Sequence, residues 1–158
     1  MTIFILRHGQ AEAQVTTDEA RQLTGKGRSD TARVVGARAL DMVPLAQIWA
    51  SPLVRAQQTA EIAAHYFPEL KIRTTELLIP EANPQALLEW LDELHQLQLQ
   101  DSTQSILLVT HQPLVGALVN KLCGKPEDFY PMGTSSLAAI RAQIIAADMG
   151  DLLWLDHA

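Results

Sequence analysis

The sequence predicts an α/β fold built on a mostly parallel central sheet. Two observations carry this. Apolar bursts alternate with amphipathic segments along the whole chain, and the bursts at 3–6 and 106–109 are continuous rather than alternating. A strand with one wet face alternates polar and apolar residues, whereas a strand covered by helices on both faces is apolar throughout. The 158 residues show no composition break, so residues 1–158 are expected to form a single domain. A fold of that size buries roughly 68–70% of its unfolded surface and needs no covalent staple.

The first strand is expected over residues 3–6. Thr24 reads as a helix N-cap, followed by a helix with Ala32, Val35, Ala39 and Met42 on one side. A second strand is expected at 46–50. Ser51-Pro52 then suits an N-cap and first helical residue, and Ala56, Ala60, Ala63 and Phe67 form the apolar stripe behind it. A weaker strand at 71–75 leads into a loop at 78–83. Asn83-Pro84 caps a third helix, with Leu87, Leu91, Leu94 and Leu97 on its buried face. The Ser105–Thr110 run is another strand, and Pro113 opens a helix carrying Leu114, Leu118 and Leu122. Two more strands are expected at 136–142 and 151–155, where alternation is poor.

Composition narrows the function classes. The single cysteine, Cys123, cannot form an internal disulfide, which points to a reducing, cytoplasmic setting. The N-terminal apolar run is too short for a signal peptide, and nothing approaches the ~20 apolar residues of a membrane span. A formal net charge of −6 argues against nucleic-acid binding. It does not oppose a small anionic group, because distant charges are screened beyond ~8 Å whereas one adjacent arginine attracts a phosphate by ~4 kcal/mol before desolvation.

The chemistry sits at the strand ends. Residues 3–6 run into Arg7-His8-Gly9, and 106–109 into Thr110-His111-Gln112. Ligands of open α/β sheets bind at the carboxyl ends of parallel strands, so neighbouring strands would aim both histidines into one crevice. Arg55, in the first turn of the helix after the second strand, belongs to the same edge. Arginine's rigid fork of donors matches phosphate oxygens. The helix opening at Pro113 adds backbone N–H groups and a positive dipole end, and Gly9 lets the backbone approach a ligand closely. These groups suit in-line phosphoryl transfer, where charge neutralisation and positioning dominate. No Asp/Glu pair suggests magnesium, and Gly25-Lys26-Gly27 lacks the spacing of a phosphate-binding loop. The nucleophile must then come from the chain, and a neutral histidine can serve.

Arg7-His8-Gly9, the stretch from Ser51-Pro52 through Arg55 to Ala60, and Thr110-His111-Gln112-Pro113-Leu114-Val115 resemble the histidine phosphatase (phosphoglycerate mutase-like) superfamily. Leu23-Thr24-Gly25-Lys26-Gly27 fits as well, and the motifs occur in the right order across most of the chain. The short length, Arg21-Gln22-Leu23-Thr24 and Gly133-Thr134-Ser135-Ser136 look like the SixA-type branch, bacterial phosphohistidine phosphatases. The resemblance implies a three-layer α/β/α sandwich without metal or cofactor. It implies that His8 is phosphorylated while Arg7, Arg55 and His111 hold the phosphoryl oxygens. It further implies a phosphohistidine-bearing phosphotransfer protein as substrate.

Two alternatives follow from the residues. Larger members of the superfamily place an acid after the third strand to protonate an alcohol, and Glu81 is the acid in that loop here. If Glu81 faces the site, a phosphomonoesterase for small metabolites fits; if it faces solvent, phosphohistidine is favoured, since its P–N bond needs an acid less. A phosphoprotein-binding module without turnover is the other rival. Arg21 is either a surface ion-pair partner or, by resemblance, part of the substrate-binding rim, with Gly9 and Gln112. His65, His95 and His157 carry no motif, and Trp49, Trp90 and Trp154 read as packing anchors.

Overall fold

A computed structural model describes residues 1–97 and 104–158. Its elements run β1 (Thr2–Arg7), α1 (Gly25–Arg38), β2 (Leu45–Ala50), α2 (Val54–Ala64), β3 (Ile72–Thr74), α3 (Pro84–Leu97), β4 (Ser105–Thr110), α4 (Leu114–Leu122), β5 (Leu137–Ala142) and β6 (Gly150–Asp156). Short 3₁₀ turns at Ala39–Met42 and Glu76–Leu78 complete the set. The six strands form one sheet in the order β3-β2-β4-β1-β5-β6. The first four run parallel; β5 is antiparallel to β1, and β6 is antiparallel to β5.

The continuous apolar runs are explained by this layering. Successive side chains of a strand point to opposite faces. Ile3 and Ile5, with Ile106 and Leu108, pack against Leu87, Leu88 and Leu91 of α3 and the apolar side of α4. Phe4 and Leu6, with Leu107 and Val109, pack against Val34 and Val35 of α1 and Ala56, Ala60 and Ala63 of α2. Both faces are therefore dry, and the chain is a three-layer α/β/α sandwich.

The sheet edges are protected differently. β3 is only three residues long, which leaves little backbone to pair with another chain. At β6, Trp154 packs on Phe4 with ring centroids 5.9 Å apart. The Arg38 guanidinium lies 4.4 Å above Trp154 and forks onto both oxygens of Asp156 at 2.6 and 3.1 Å.

Three local expectations need correction. Of the expected line, Val35, Ala39 and Met42 do reach the core, the last two from the 3₁₀ turn, but Ala32 does not, and the inward face of α1 carries Gly27, Thr31 and Val34 beside Val35. Apolar periodicity missed it because the contact is made by small and polar residues: a Cβ on Gly9 would lie 2.6 Å from Gly27 O and 2.8 Å from Thr31 Oγ1. Helix α2 begins at Val54, not Pro52. Ser51 N donates to Val109 O and so still belongs to the sheet, Ser51 Oγ accepts from Leu53 N, and Val54 N is taken by Glu19 O. Leu97 is 85% exposed, at the end of α3 beyond the layer that covers Leu87, Leu88 and Leu91. The caps at Thr24 and Asn83 hold: Thr24 Oγ1 accepts from Gly27 N at 3.0 Å, and Asn83 Oδ1 from Gln85 N at 2.8 Å.

Candidate active site

β1 and β4 are adjacent and in register, Leu6 opposite Val109 and Arg7 opposite Thr110. The residues that follow them therefore emerge side by side. His8 N donates to Thr110 O at 3.0 Å, which carries the ladder one step past the strand end. The two imidazoles stand with centroids 5.0 Å apart, His8 being 7% and His111 1% exposed. From the other side, Ser135 N donates to His8 O and Arg7 N to Ser136 O, so the 133–136 segment closes against β1. Arg7 Nη1 donates to Met132 O at 3.0 Å.

Hydrogen bonding fixes the His8 tautomer. Nδ1 lies 2.7 Å from Gly9 O, and a carbonyl can only accept, so Nδ1 carries the proton. Nε2 then keeps its lone pair, and Arg55 Nε donates to it at 3.4 Å. Burial pushes the His8 pKa down to about 4; the bond to Gly9 opposes this, and the charges of Arg55, Arg7 and Arg21 add to it. His111 is pushed down to about 3, by burial first and then by His8, Arg55 and Arg7, with Asp18 opposing. Both rings are neutral near pH 7.

Arg55 is 4% exposed on the first turn of α2. Thr59, one turn on, donates to Arg55 O at 2.7 Å and accepts from Gly9 N at 3.1 Å, so it links α2 to the turn that carries His8. Both ring nitrogens of His111 and Nε of Arg7 are buried without a hydrogen-bond partner among the described residues. Leaving a buried polar atom unpaired costs about 1–3 kcal/mol, so such a set marks where an acceptor-rich ligand fits.

The structure thus brings together Arg7, His8, Arg55 and His111. Arg21 reaches the rim, where its charge acts on His8, while Nε donates to Glu12 O at 2.8 Å and Nη1 to Asp18 Oδ1 at 3.1 Å. Two expectations change. Gln112 spends its side chain on the backbone, donating to Met132 O, which Arg7 also bonds, and accepting from Gly116 N, which steadies the start of α4. Gly9 makes room for α1 and gives its N–H to Thr59. Glu81 is exposed on the turn after Glu76–Leu78. His95 and His157 bond to Gln143 O and Ser136 Oγ, and Trp49 and Trp90 stack edge-on at 4.9 Å.

Sequence reading missed Asp18 and Thr59. Thr59 was detectable as a polar residue within the stripe of Ala56, Ala60 and Ala63, one turn after Arg55. Asp18, three residues before Arg21 in a polar loop, carried no such signal.

A phosphohistidine phosphatase SixA homolog of Haemophilus influenzae is 35% identical to this chain, covering 87% of each. Phosphohistidine phosphatase SixA of Escherichia coli is 30% identical over 88% of this chain and 83% of its own length. The chain belongs to the histidine phosphatase superfamily, in its SixA-type branch. The superfamily's branch 1 profile matches residues 3–80. A solved protein histidine phosphatase SixA, complexed with tungstate, superposes with a TM-score of 0.83 at 25% identity, over 98% of this chain and 96% of that one. A mycobacterial glucosyl-3-phosphoglycerate phosphatase shares the fold, with a TM-score of 0.71 at 17% identity over 99% of each chain. Among the described residues no helix is long and apolar enough to cross a membrane, and no group of three His, Cys, Asp or Glu side chains could hold a metal ion.

Proposed function

We propose that this histidine phosphatase removes the phosphoryl group from a phosphohistidine of a phosphotransfer protein, by way of a phospho-His8 intermediate. The observation that carries the reading is the His8 ring itself: its proton is held on Nδ1 by Gly9 O, which leaves a neutral Nε2 beside Arg55 in a buried, positively charged crevice.

In the first step His8 Nε2 forms a bond to phosphorus as the substrate's P–N bond breaks, and the Arg55 Nε–H that bonds to this lone pair in the free site turns to a phosphoryl oxygen. A substrate imidazole protonated at its other nitrogen leaves as the neutral ring, so no acid from the chain is required. Arg7, Arg55 and His111 gather the charge that spreads over the equatorial oxygens, which the unpaired Arg7 Nε and His111 ring nitrogens and the burial of Arg55 and His111 support. In the second step water attacks phosphorus, the bond to Nε2 breaks, and inorganic phosphate leaves with His8 restored. For His111 to hold an anion by hydrogen bonding, one ring nitrogen must carry hydrogen, which the neutral ring provides.

The SixA relatives, named as phosphohistidine phosphatases, support the substrate class. An alcohol leaving group would need a proton donor, and the exposed Glu81 gives that route little support. The test compares hydrolysis of a phosphohistidine-bearing protein with a panel of phosphate monoesters, using native protein and Glu81→Gln. The expected result is preference for phosphohistidine, with Glu81→Gln within about 2-fold of native, as for an exposed position away from the chemistry. Preference for an ester, lost in Glu81→Gln, would overturn the substrate assignment.

A further inference from the structure

Arg55 is buried, yet it is held in place by a residue far from it in sequence. Its Nη1 donates to the backbone oxygen of Asp18 at 2.8 Å and its Nη2 to Asp18 Oδ2 at 3.1 Å. The third nitrogen, Nε, is left facing His8 Nε2. Asp18 Oδ1 meanwhile accepts from Arg21 Nη1 at 3.1 Å, and Arg21 Nε is fixed on Glu12 O. The loop that carries these residues is pinned at both ends. Ala11 pairs with Leu23, and Val54 N donates to Glu19 O next to Asp18. One carboxylate thus joins two guanidinium groups and sets the direction of the one that reaches the nucleophile.

We propose that Asp18 is a positioning residue for phosphoryl transfer, holding the outer edge of Arg55 so that Nε stays beside His8 Nε2, where its hydrogen bond passes from that lone pair to a phosphoryl oxygen as the ring attacks phosphorus. The inference rests on the phosphatase reading above and adds a residue to it. Asp18 is unsuited to proton donation: its bond to Arg21, with Arg55 assisting, holds its carboxyl below the usual carboxylate range, so it stays ionised. Nor is it an ordinary surface ion pair, whose loss costs little, because its partner Arg55 has a side chain only 5% exposed. Arginine's fork has five donors, and using two on Asp18 leaves Nε–H and one hydrogen on each terminal nitrogen for the phosphoryl oxygens and His8.

Positioning makes a prediction that bulk charge does not. An anion beside the crevice opposes a second anion, so its removal does not weaken ground-state phosphate binding. Transfer, in contrast, depends on the aim of Arg55, and small misplacements of such groups cost up to about 100-fold. The experiment measures kcat and KM on a phosphohistidine-bearing protein, and Kd for inorganic phosphate, for native chain, Asp18→Ala, Asp18→Asn, Arg55→Ala and the double variant Asp18→Ala/Arg55→Ala. We expect kcat of Asp18→Ala to fall about 10- to 100-fold, with Asp18→Asn falling less, while Kd for phosphate is equal to or tighter than native. In the Arg55→Ala background, removing Asp18 should change kcat by less than about 3-fold, because the two act as one unit. A native-like kcat in Asp18→Ala, a parallel loss of phosphate affinity, or full additivity with Arg55→Ala overturns the proposal; thermal unfolding of each variant identifies a fold defect, and Asp18→Asn then decides. A native chain that ignores phosphohistidine refutes the substrate reading instead, and Asp18 is then judged on the rate of phospho-His8 formation from acetyl phosphate. A native chain that neither hydrolyses nor becomes labelled overturns both.

Discussion

His8 and Arg55 divide the work by geometry that single side chains control. The carbonyl of Gly9 fixes which imidazole nitrogen is free, and the fork of Arg55 meets that nitrogen and Asp18 at once. A lysine offers charge without a fork, so Arg55→Lys should lower kcat about 10- to 100-fold while leaving the charge of the crevice unchanged. Steady-state kinetics on a phosphohistidine protein reads this directly, and native-like kcat would show that charge alone suffices. Much of this cluster was legible in sequence, because Arg7, His8 and His111 follow strands whose apolar runs announce them, and Arg55 follows a recognisable turn. Asp18 was not legible: its partner lies 37 residues away, and no periodicity links a loop aspartate to the first turn of a helix.

Among the elements, β1, β4 and α4 were read almost residue for residue, since burial on both faces or on one strong stripe leaves a clear apolar pattern. Helix α1 shows where such reading stops. Its contact with the His8 turn uses Gly27 and Thr31, and a Cβ on Gly27 would run into the backbone of Gln10. Gly27→Ala should therefore destabilise the fold by about 1–3 kcal/mol despite alanine's better helix propensity, a loss that denaturant unfolding would register. Unchanged or increased stability would mean that α1 moves away from the turn at no cost. Leu97 provides the opposite case: placed inward by spacing but 85% exposed, it should accept Leu97→Gln within about 0.5 kcal/mol by the same measurement.

For the whole molecule, the site imposes a pH dependence on folding. The folded pKa values of His8 and His111 lie near 4 and 3, below the ordinary value of 6.5. As pH falls below about 6.5 the unfolded chain takes up protons that the folded chain refuses, so stability is greatest above that pH and declines toward pH 4. The full loss is on the order of 3 kcal/mol for His8 and about 5 kcal/mol for His111. Depressed carboxylates such as Asp18 and Asp156 lose their contribution only at lower pH, so the window from about 6.5 to 4.5 isolates the imidazoles. Denaturant midpoints across that window should fall in the native chain and fall less in His111→Gln; equal slopes would show that the His111 ring does not contribute to it. The same four groups, gathered from β1, α2 and β4 at one sheet edge, are claimed to surround a single phosphorus atom that is transferred to His8. Rapid quenching during turnover of a phosphohistidine protein, followed by mass-spectrometric mapping under alkaline conditions, tests this most directly. An acid-labile phosphoryl group is expected on His8 and absent from His8→Ala, which should not turn over; a phosphoryl group found on His111, or full turnover in His8→Ala, would refute the assignment of the nucleophile.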